Sequence, residues 1–234
     1  MTQPLIAALE DAFQRSRHMD ASLDERLNVI ADAVRDLSAP FAEAVDRLVD
    51  RLKQSGAGAA APKVGDPMPS FILPDETGSL VSLRELTEKG PVAVAFHRGH
   101  WCPYCRLNTV ALAEVQEEVE AEGAQIVAIM PDRQKFTSAF KAESNAPFPI
   151  LTDMDNGYAL SLNLAIWVGA EMEKMIAAAG WDIPAYQGND SWILPIPATF
   201  VVGSDGIVKA RYIDPDYRKR MMIEDLLEAL RNAD

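Results

Sequence analysis

Only two cysteines occur in the 234-residue chain, Cys102 and Cys105, three apart in the segment Trp101-Cys-Pro-Tyr-Cys. The apolar run Val92 to Phe96 precedes them and a helical pattern follows, so Cys102 is expected where a strand gives way to a helix N-terminus. There the unsatisfied N–H groups and the positive end of the helix dipole face the sulfur and favour a thiolate. Pro103 suits the first helical turn, where a missing N–H sacrifices no hydrogen bond. Cys105 lies one turn on, close enough for a disulfide. Cys102 is thus placed to attack an electrophilic sulfur or oxygen, and Cys105 to resolve the resulting mixed disulfide or sulfenic acid.

Other uses of the pair are weaker. A bridge between neighbours closes almost no loop and stabilises little, so this is not a disulfide scaffold. Zinc needs four ligands, yet there is no second CxxC, and His97 and His100 crowd the same turn. No metal or cofactor is expected.

The elements that must hold the pair are legible in outline. Residues 1–54 read as amphipathic helices: Ile6, Leu9 and Phe13 form one stripe after Pro4, and Ser22 with Glu25 makes a capping box ahead of Leu23, Leu27, Ile30, Val34 and Leu37. A third helix follows Ser38-Ala-Pro and carries Phe41, Val45, Leu48 and Leu52. The small residues of 55–62 read as a flexible linker, leaving 63–234 as the main domain. Within it, strands are expected at Val92–Phe96, Ile126–Met130, Thr199–Val202 and Ile207–Ile213, with a tight hairpin at Ser204-Asp-Gly206. Helices are expected at Cys102–Glu122, Gln134–Glu143, 157–179 and Ile223–Asn232. That order implies an α/β fold: a mixed sheet flanked by helices, its first crossover parallel and its closing hairpin antiparallel, with an N-terminal helical extension. The extension buries little alone, so it must pack on the main domain or on a second subunit; a homodimer is expected.

Composition excludes several partners. The chain has 22 Lys and Arg against 35 Asp and Glu, a formal charge of −13, which repels nucleic-acid backbones and anionic lipid. No apolar run is long enough to span a bilayer, and Met1-Thr-Gln-Pro-Leu-Ile has no signal character, so no membrane partner and a cytoplasmic location are expected. The acidic run from Glu114 to Glu122 reads as a solvated helix face, and Met172, Met175, Met221 and Met222 read as packing. Trp167, Trp181 and Trp192 lie in a stretch that either packs the core or shapes access to Cys102.

Several segments together resemble one family. Val64-Gly-Asp-Pro-Met-Pro-Ser-Phe71, Asp75-Glu-Thr-Gly78, Val81-Ser-Leu83, Pro91-Val-Ala-Val-Ala-Phe96, Trp101-Cys-Pro103, Ile150-Leu-Thr-Asp153 and Pro197-Ala-Thr-Phe-Val-Val202 are similar to the alkyl hydroperoxide reductase and thiol-specific antioxidant branch of the peroxiredoxins. The resemblance covers about residues 63–232 and implies a thioredoxin-like fold. It implies hydroperoxide reduction with Cys102 as the peroxidatic cysteine, and a thioredoxin, a glutaredoxin or a low-molecular-weight thiol as reductant. By analogy with thioredoxin relatives it also implies a cis bond at Pro197, packed against the cysteines.

Two positions depart from the family pattern. Gly99 stands where these proteins place Thr or Ser, and Pro197 where they place Arg, so both expected peroxide-holding groups are absent. Arg98, Arg106, His97 and His100 are the candidates to replace them, and Trp101 to shield the thiolate. Cys-Pro-Tyr-Cys also resembles glutaredoxins, which keeps a protein disulfide oxidoreductase open as an alternative, and a redox-switched interaction module beside it.

Overall fold

The computed structural model describes residues 3–233, so Met1, Thr2 and Asp234 lie outside it. Three helices come first: α1 (Gln3–Arg17), α2 (Leu23–Leu37) and α3 (Ala39–Gln54). The Ser22–Glu25 capping box forms as its spacing predicts: the Ser22 hydroxyl accepts from the Glu25 N–H at 3.3 Å, and the Ser22 N–H donates to the Glu25 carboxylate at 2.9 Å. Residues 55–62 are a run of turns laid against the main body. Ala61 is buried, and Arg211 donates to the carbonyls of Ala61 and Pro62 at 2.7 and 2.8 Å.

A small hairpin, β1 (Ile72–Pro74) with β2 (Leu80–Ser82), leads through α4 (Leu83–Thr87) to β3 (Val92–Phe96). The chain then runs through α5 (Pro103–Glu114), α6 (Gln116–Ala121), β4 (Gln125–Met130), α7 (Gln134–Ser144) and β5 (Ile150–Thr152). Next come α8 (Gly157–Ser161), β6 (Ala165–Trp167), α9 (Ala170–Ala179), α10 (Ile183–Gln187) and β7 (Ile193–Pro195). β8 (Ala198–Val202), β9 (Val208–Ile213) and α11 (Ile223–Arg231) complete the chain.

The central sheet has the order β5-β4-β3-β8-β9, with β3, β4 and β5 parallel and β8 and β9 antiparallel to their neighbours. Strand β3 is buried throughout because both faces of the sheet are covered. Its alternation sorts the core into two layers. Val92, Val94 and Phe96 pack with Val127, Ile129 and Phe200 on one side. Ala93 and Ala95 face the other side, where Leu107, Phe140, both cysteines and the buried stripes of α1–α3 meet in a single cluster. The N-terminal helices therefore cover the cysteine face of the sheet. The small Ala93 and Ala95 leave room there for α5 to lie close.

Two expected helices are interrupted. The one starting at Cys102 breaks at Val115, whose backbone leaves the helical region at φ −108°, ψ 10°. The stretch 157–179 is not one helix: β6 lies inside it and pairs antiparallel with β7. The cause is tertiary. Arg51 of α3 donates to the carbonyls of Trp167 and Val168 at 2.9 and 3.0 Å. Gly169 turns the chain with φ 92°, where a Cβ would meet that guanidinium at 3.0 Å.

Candidate active site

Strand β3 ends at Phe96, and five residues carry the chain from there to the N-cap of α5, which is Cys102, with Pro103 at the first helical position. This tight return brings the Arg98 N–H to the Cys105 sulfur, whereas the first-turn N–H groups of Cys105 and Arg106 go to the Cys102 carbonyl and Cys102 makes no side-chain cap. The support expected for its thiolate from the helix N-terminus is therefore not formed. Cys102 is 1% exposed and Cys105 0%, and both are free thiols. The reach between them is short: the Cys105 N–H donates to the Cys102 carbonyl at 3.1 Å.

Two N–H donors converge on the sulfur of Cys105. The Arg98 backbone N–H reaches it at 3.4 Å and Arg220 Nη2 at 3.3 Å. Burial pushes the Cys105 thiol up, but the hydrogen bond from Cys102, the Arg220 charge and the neighbouring His97 imidazole outweigh it and hold Cys105 well below the ordinary thiol range. Cys102 is pushed well above that range, first by burial and then by its hydrogen bond to Cys105 and the charge there, while Arg98 and Arg220 pull the other way. The pair titrates as a unit, and both N–H donors sit on the Cys105 sulfur, which favours the anion there.

Arg220 carries no sequence signal of this role. It lies 115 residues beyond Cys105, in the loop between β9 and α11, and is buried. Its Nη1 donates to the carbonyls of Tyr217 and Lys219, both at 2.6 Å, which fixes the guanidinium. The loop is fastened by a two-pronged Arg218–Asp216 pair at 2.8 and 2.9 Å, and by Arg218 to Asp46 of α3 at 2.8 Å.

The residues singled out by sequence go to different places. The Arg98 guanidinium stacks over Tyr217 at 3.8 Å and Trp101 at 5.1 Å, on the Cys102 side. Arg106 turns away from the sulfurs: it pairs with Glu10 of α1 at 2.5 Å and Glu143 of α7 at 3.4 Å, over the ring of Phe13. His97 is buried against Thr109, its Nε2 at 3.1 Å from the Thr109 hydroxyl. His100 faces outward, with Nδ1 at 2.7 Å from Asp132 and its ring stacked on Phe136 at 4.5 Å.

Pro197 is buried in the connection from β7 to β8 and lines neither cavity at the site. The expected cis bond is absent, since no cis peptide occurs among the described residues. The chain runs from β7, where the Ile196 N–H donates to Leu164 at 2.8 Å, straight into the pairing of Ala198 with Phe96, and a trans bond serves that path. Gly99 also has a local reason. Its φ is 149°, and a Cβ there would lie 2.4 Å from the Trp101 indole nitrogen and 3.0 Å from Asp132, so the indole occupies the space a hydroxyl residue needs. No group of three or more metal-ligating side chains exists among the described residues.

Two cavities meet at the site. An apolar one of about 20 Å³ touches Cys102, walled by Leu9, Val34, Phe41, Met172, Trp181 and Tyr217. An open one of about 520 Å³ carries His100, Arg106 and Tyr186 and shares Leu9, Trp101, Pro103 and Trp181 with the first. Trp101 and Trp181, 5.7 Å apart, stand between solvent and the sulfur. Trp181→Ala should join the cavities and admit bulkier substrates. The ratio of the oxidation rate with cumene hydroperoxide to that with hydrogen peroxide should rise about tenfold; an unchanged ratio places the entry elsewhere.

Comparison with known proteins gives a consistent set of similarities. Residues 64–211 match the AhpC/TSA family. A bcp protein of Coxiella burnetii, named among the peroxiredoxins, is 31% identical over 94 residues, which are 40% of this chain and 62% of that one. The peroxiredoxin bcp1 of Schizosaccharomyces pombe is 30% identical over 92 residues, 39% and 47% of the respective chains. The chain thus spans about half the length of these relatives. The crystal structure of peroxidoxin BcpB from Mycobacterium tuberculosis superposes with a TM-score of 0.57 at 21% identity, covering 74% of this chain and 99% of that one.

Proposed function

Because the chain belongs to the AhpC/TSA family of peroxiredoxins, within the thioredoxin-like superfamily, we propose that it is a thiol-dependent peroxidase that reduces hydroperoxides at Cys102, with Cys105 as the resolving thiol. The carrying observation is access. Cys102 is the cysteine that lines the small apolar cavity, while Cys105 sits behind it against Arg98 and Arg220.

The same observation favours a peroxide over a protein disulfide as oxidant. A sulfur 1% exposed behind a cavity of about 20 Å³ admits a molecule little larger than water, whereas a protein disulfide needs the surface to open first. Cys102 attacks the terminal peroxide oxygen and becomes a sulfenic acid; Cys105 displaces water from it and closes the disulfide. A thioredoxin, a glutaredoxin or a low-molecular-weight thiol then restores both thiols. The domain division at 55–62, a homodimer, which velocity sedimentation measures, and a reducing compartment complete this reading.

The test is stopped-flow oxidation of the reduced protein by hydrogen peroxide. The second-order rate should far exceed that of free cysteine, and the product should lose the mass of two hydrogens as Cys102 and Cys105 join. A rate no faster than free cysteine, or a Cys102 sulfinic acid with Cys105 still free, overturns the assignment.

A further inference from the structure

The donors of the site gather on the cysteine that the peroxide does not reach first. Cys105 receives the Arg98 N–H and Arg220 Nη2, at 3.4 and 3.3 Å, with His97 beside it. Among the described residues the Cys102 sulfur accepts no such N–H bond; it faces Cys105 on one side and the small cavity on the other. Tyr104, Tyr217 and the Arg98 guanidinium complete the polar surroundings of Cys102, and no carboxylate lines its cavity.

Resting on the peroxidase reading above, we propose that Cys105 is a catalytic residue of the first half-reaction: it accepts the proton that Cys102 gives up as Cys102 attacks the peroxide. A thiol is a poor nucleophile until that proton leaves. Among the described residues no carboxylate lines the Cys102 cavity; His100 is engaged with Asp132 in the outer cavity, and His97, whose Nε2 meets Thr109 while its Nδ1 has no hydrogen-bond partner, lies beside Cys105 rather than in the Cys102 cavity.

The step balances without any further reactant. The Cys102 sulfur forms a bond to the terminal peroxide oxygen, the O–O bond breaks, and its electron pair leaves on the alkoxide or hydroxide. The proton moves from Cys102 to Cys105 and from there to that leaving oxygen, so Cys102 is oxidised by two electrons and the peroxide is reduced to alcohol or water. Cys105, anionic again, attacks the Cys102 sulfenic acid; hydroxide departs, takes a proton from solvent, and the disulfide closes. One anion, fixed by Arg220, thus serves first as base and then as nucleophile.

A resolver that acts only in the second step leaves sulfenic acid formation untouched when it is removed, and this separates the two roles. Cys105→Ser and Cys105→Asp are reacted with hydrogen peroxide from pH 5.5 to 9.5, and Cys102 sulfenic acid is followed by trapping with dimedone and mass spectrometry. Neither variant can close the disulfide. For Cys105→Ser the rate at pH 6.5 should fall about 100-fold and recover toward the alkaline end, as Cys102 must ionise unaided. Cys105→Asp keeps an anion against Arg220 and should stay within about tenfold of the parent protein at pH 6.5. A Cys105→Ser profile that overlies the parent, or an Asp variant as slow as the Ser variant, overturns the proposal. The parent rate tests the peroxidase reading separately: if it does not exceed that of free cysteine, the reading itself fails, whatever the variants do.

Discussion

Replacing Arg220 with methionine should slow peroxide oxidation of the cysteine pair about 10- to 100-fold at neutral pH, the equivalent of a charge-assisted hydrogen bond of about 1.5–3 kcal/mol. Methionine preserves much of the buried volume but removes the donor at 3.3 Å from the Cys105 sulfur and the charge that accompanies it. The sign with pH follows from the direction in which Cys105 is held. Its folded-state value lies below the ordinary thiol value, so the stabilisation of the anion is fully present above that ordinary value and is lost as the pH falls through the depressed one. Removing Arg220 brings the Cys105 value up. The deficit in rate should therefore be largest near neutrality and close as the pH rises past the ordinary thiol range, near pH 8.5 to 9. Stopped-flow pH profiles of the parent and Arg220→Met measure this. A uniform deficit at every pH assigns Arg220 a packing role only. Arg220→Lys should recover part of the rate, since it restores the charge but loses the fork that bonds the Tyr217 and Lys219 carbonyls at 2.6 Å.

The importance of Arg220 marks where sequence reasoning stops. Arg98 and Arg106 are both four residues from Cys102, and spacing makes them equal candidates. Helix geometry separates them: Arg106 has entered α5 and projects toward Glu10 and Glu143, while Arg98 is still in the return from β3 and offers both its N–H and its guanidinium to the site. A residue 115 positions away in a loop offers no periodicity or motif to read. The core strands were legible for the opposite reason. Burial on both faces demands continuous apolar runs, and β3 fell within the expected bounds while β4 and β8 differed by a single residue at the N-terminal end; the half-buried edge strand β9 differed likewise, and the three-residue edge strand β5 was not expected. The error over 157–179 has a long-range cause again, because Arg51 of α3 supplies the donors that hold the irregular backbone at Trp167 and Val168. Gly99 was legible as a departure from the family pattern. Its reason, the indole of Trp101 lying where a Cβ would stand, needed the fold.

The second large effect concerns the helices that cover the site, since α1, α2 and α3 each give a wall to the cavity at Cys102 through Leu9, Val34 and Phe41. On the proposed peroxidase cycle a peroxide passes such a wall, whereas a protein reductant has to bring its own thiol to the disulfide, which requires the cover to loosen. Arg26 of α2 is the fastening. Its buried guanidinium donates to the carbonyls of Ser16 and Arg17 at the end of α1, both at 3.0 Å, and pairs with both oxygens of Glu114 on α5 at 2.7 and 3.1 Å. It closes the carbonyl end of α1, where a cation is favoured by the helix dipole. Glu114 is about half exposed, so the pair itself contributes modestly; most of the effect comes from the Arg17 carbonyl, which Arg26→Met leaves without a donor, and from the Ser16 carbonyl, which keeps only the Met19 N–H at 3.3 Å. The substitution should lower stability by about 3 kcal/mol. If that loss falls on local opening of α1 rather than on the whole fold, it raises the open population by about 100-fold. Cys102 alkylation by iodoacetamide in native buffer should then accelerate by a similar factor, and disulfide reduction by thioredoxin should accelerate with it. A fall in the urea midpoint with unchanged alkylation in native buffer rules out this opening route and leaves the N-terminal helices a purely structural part.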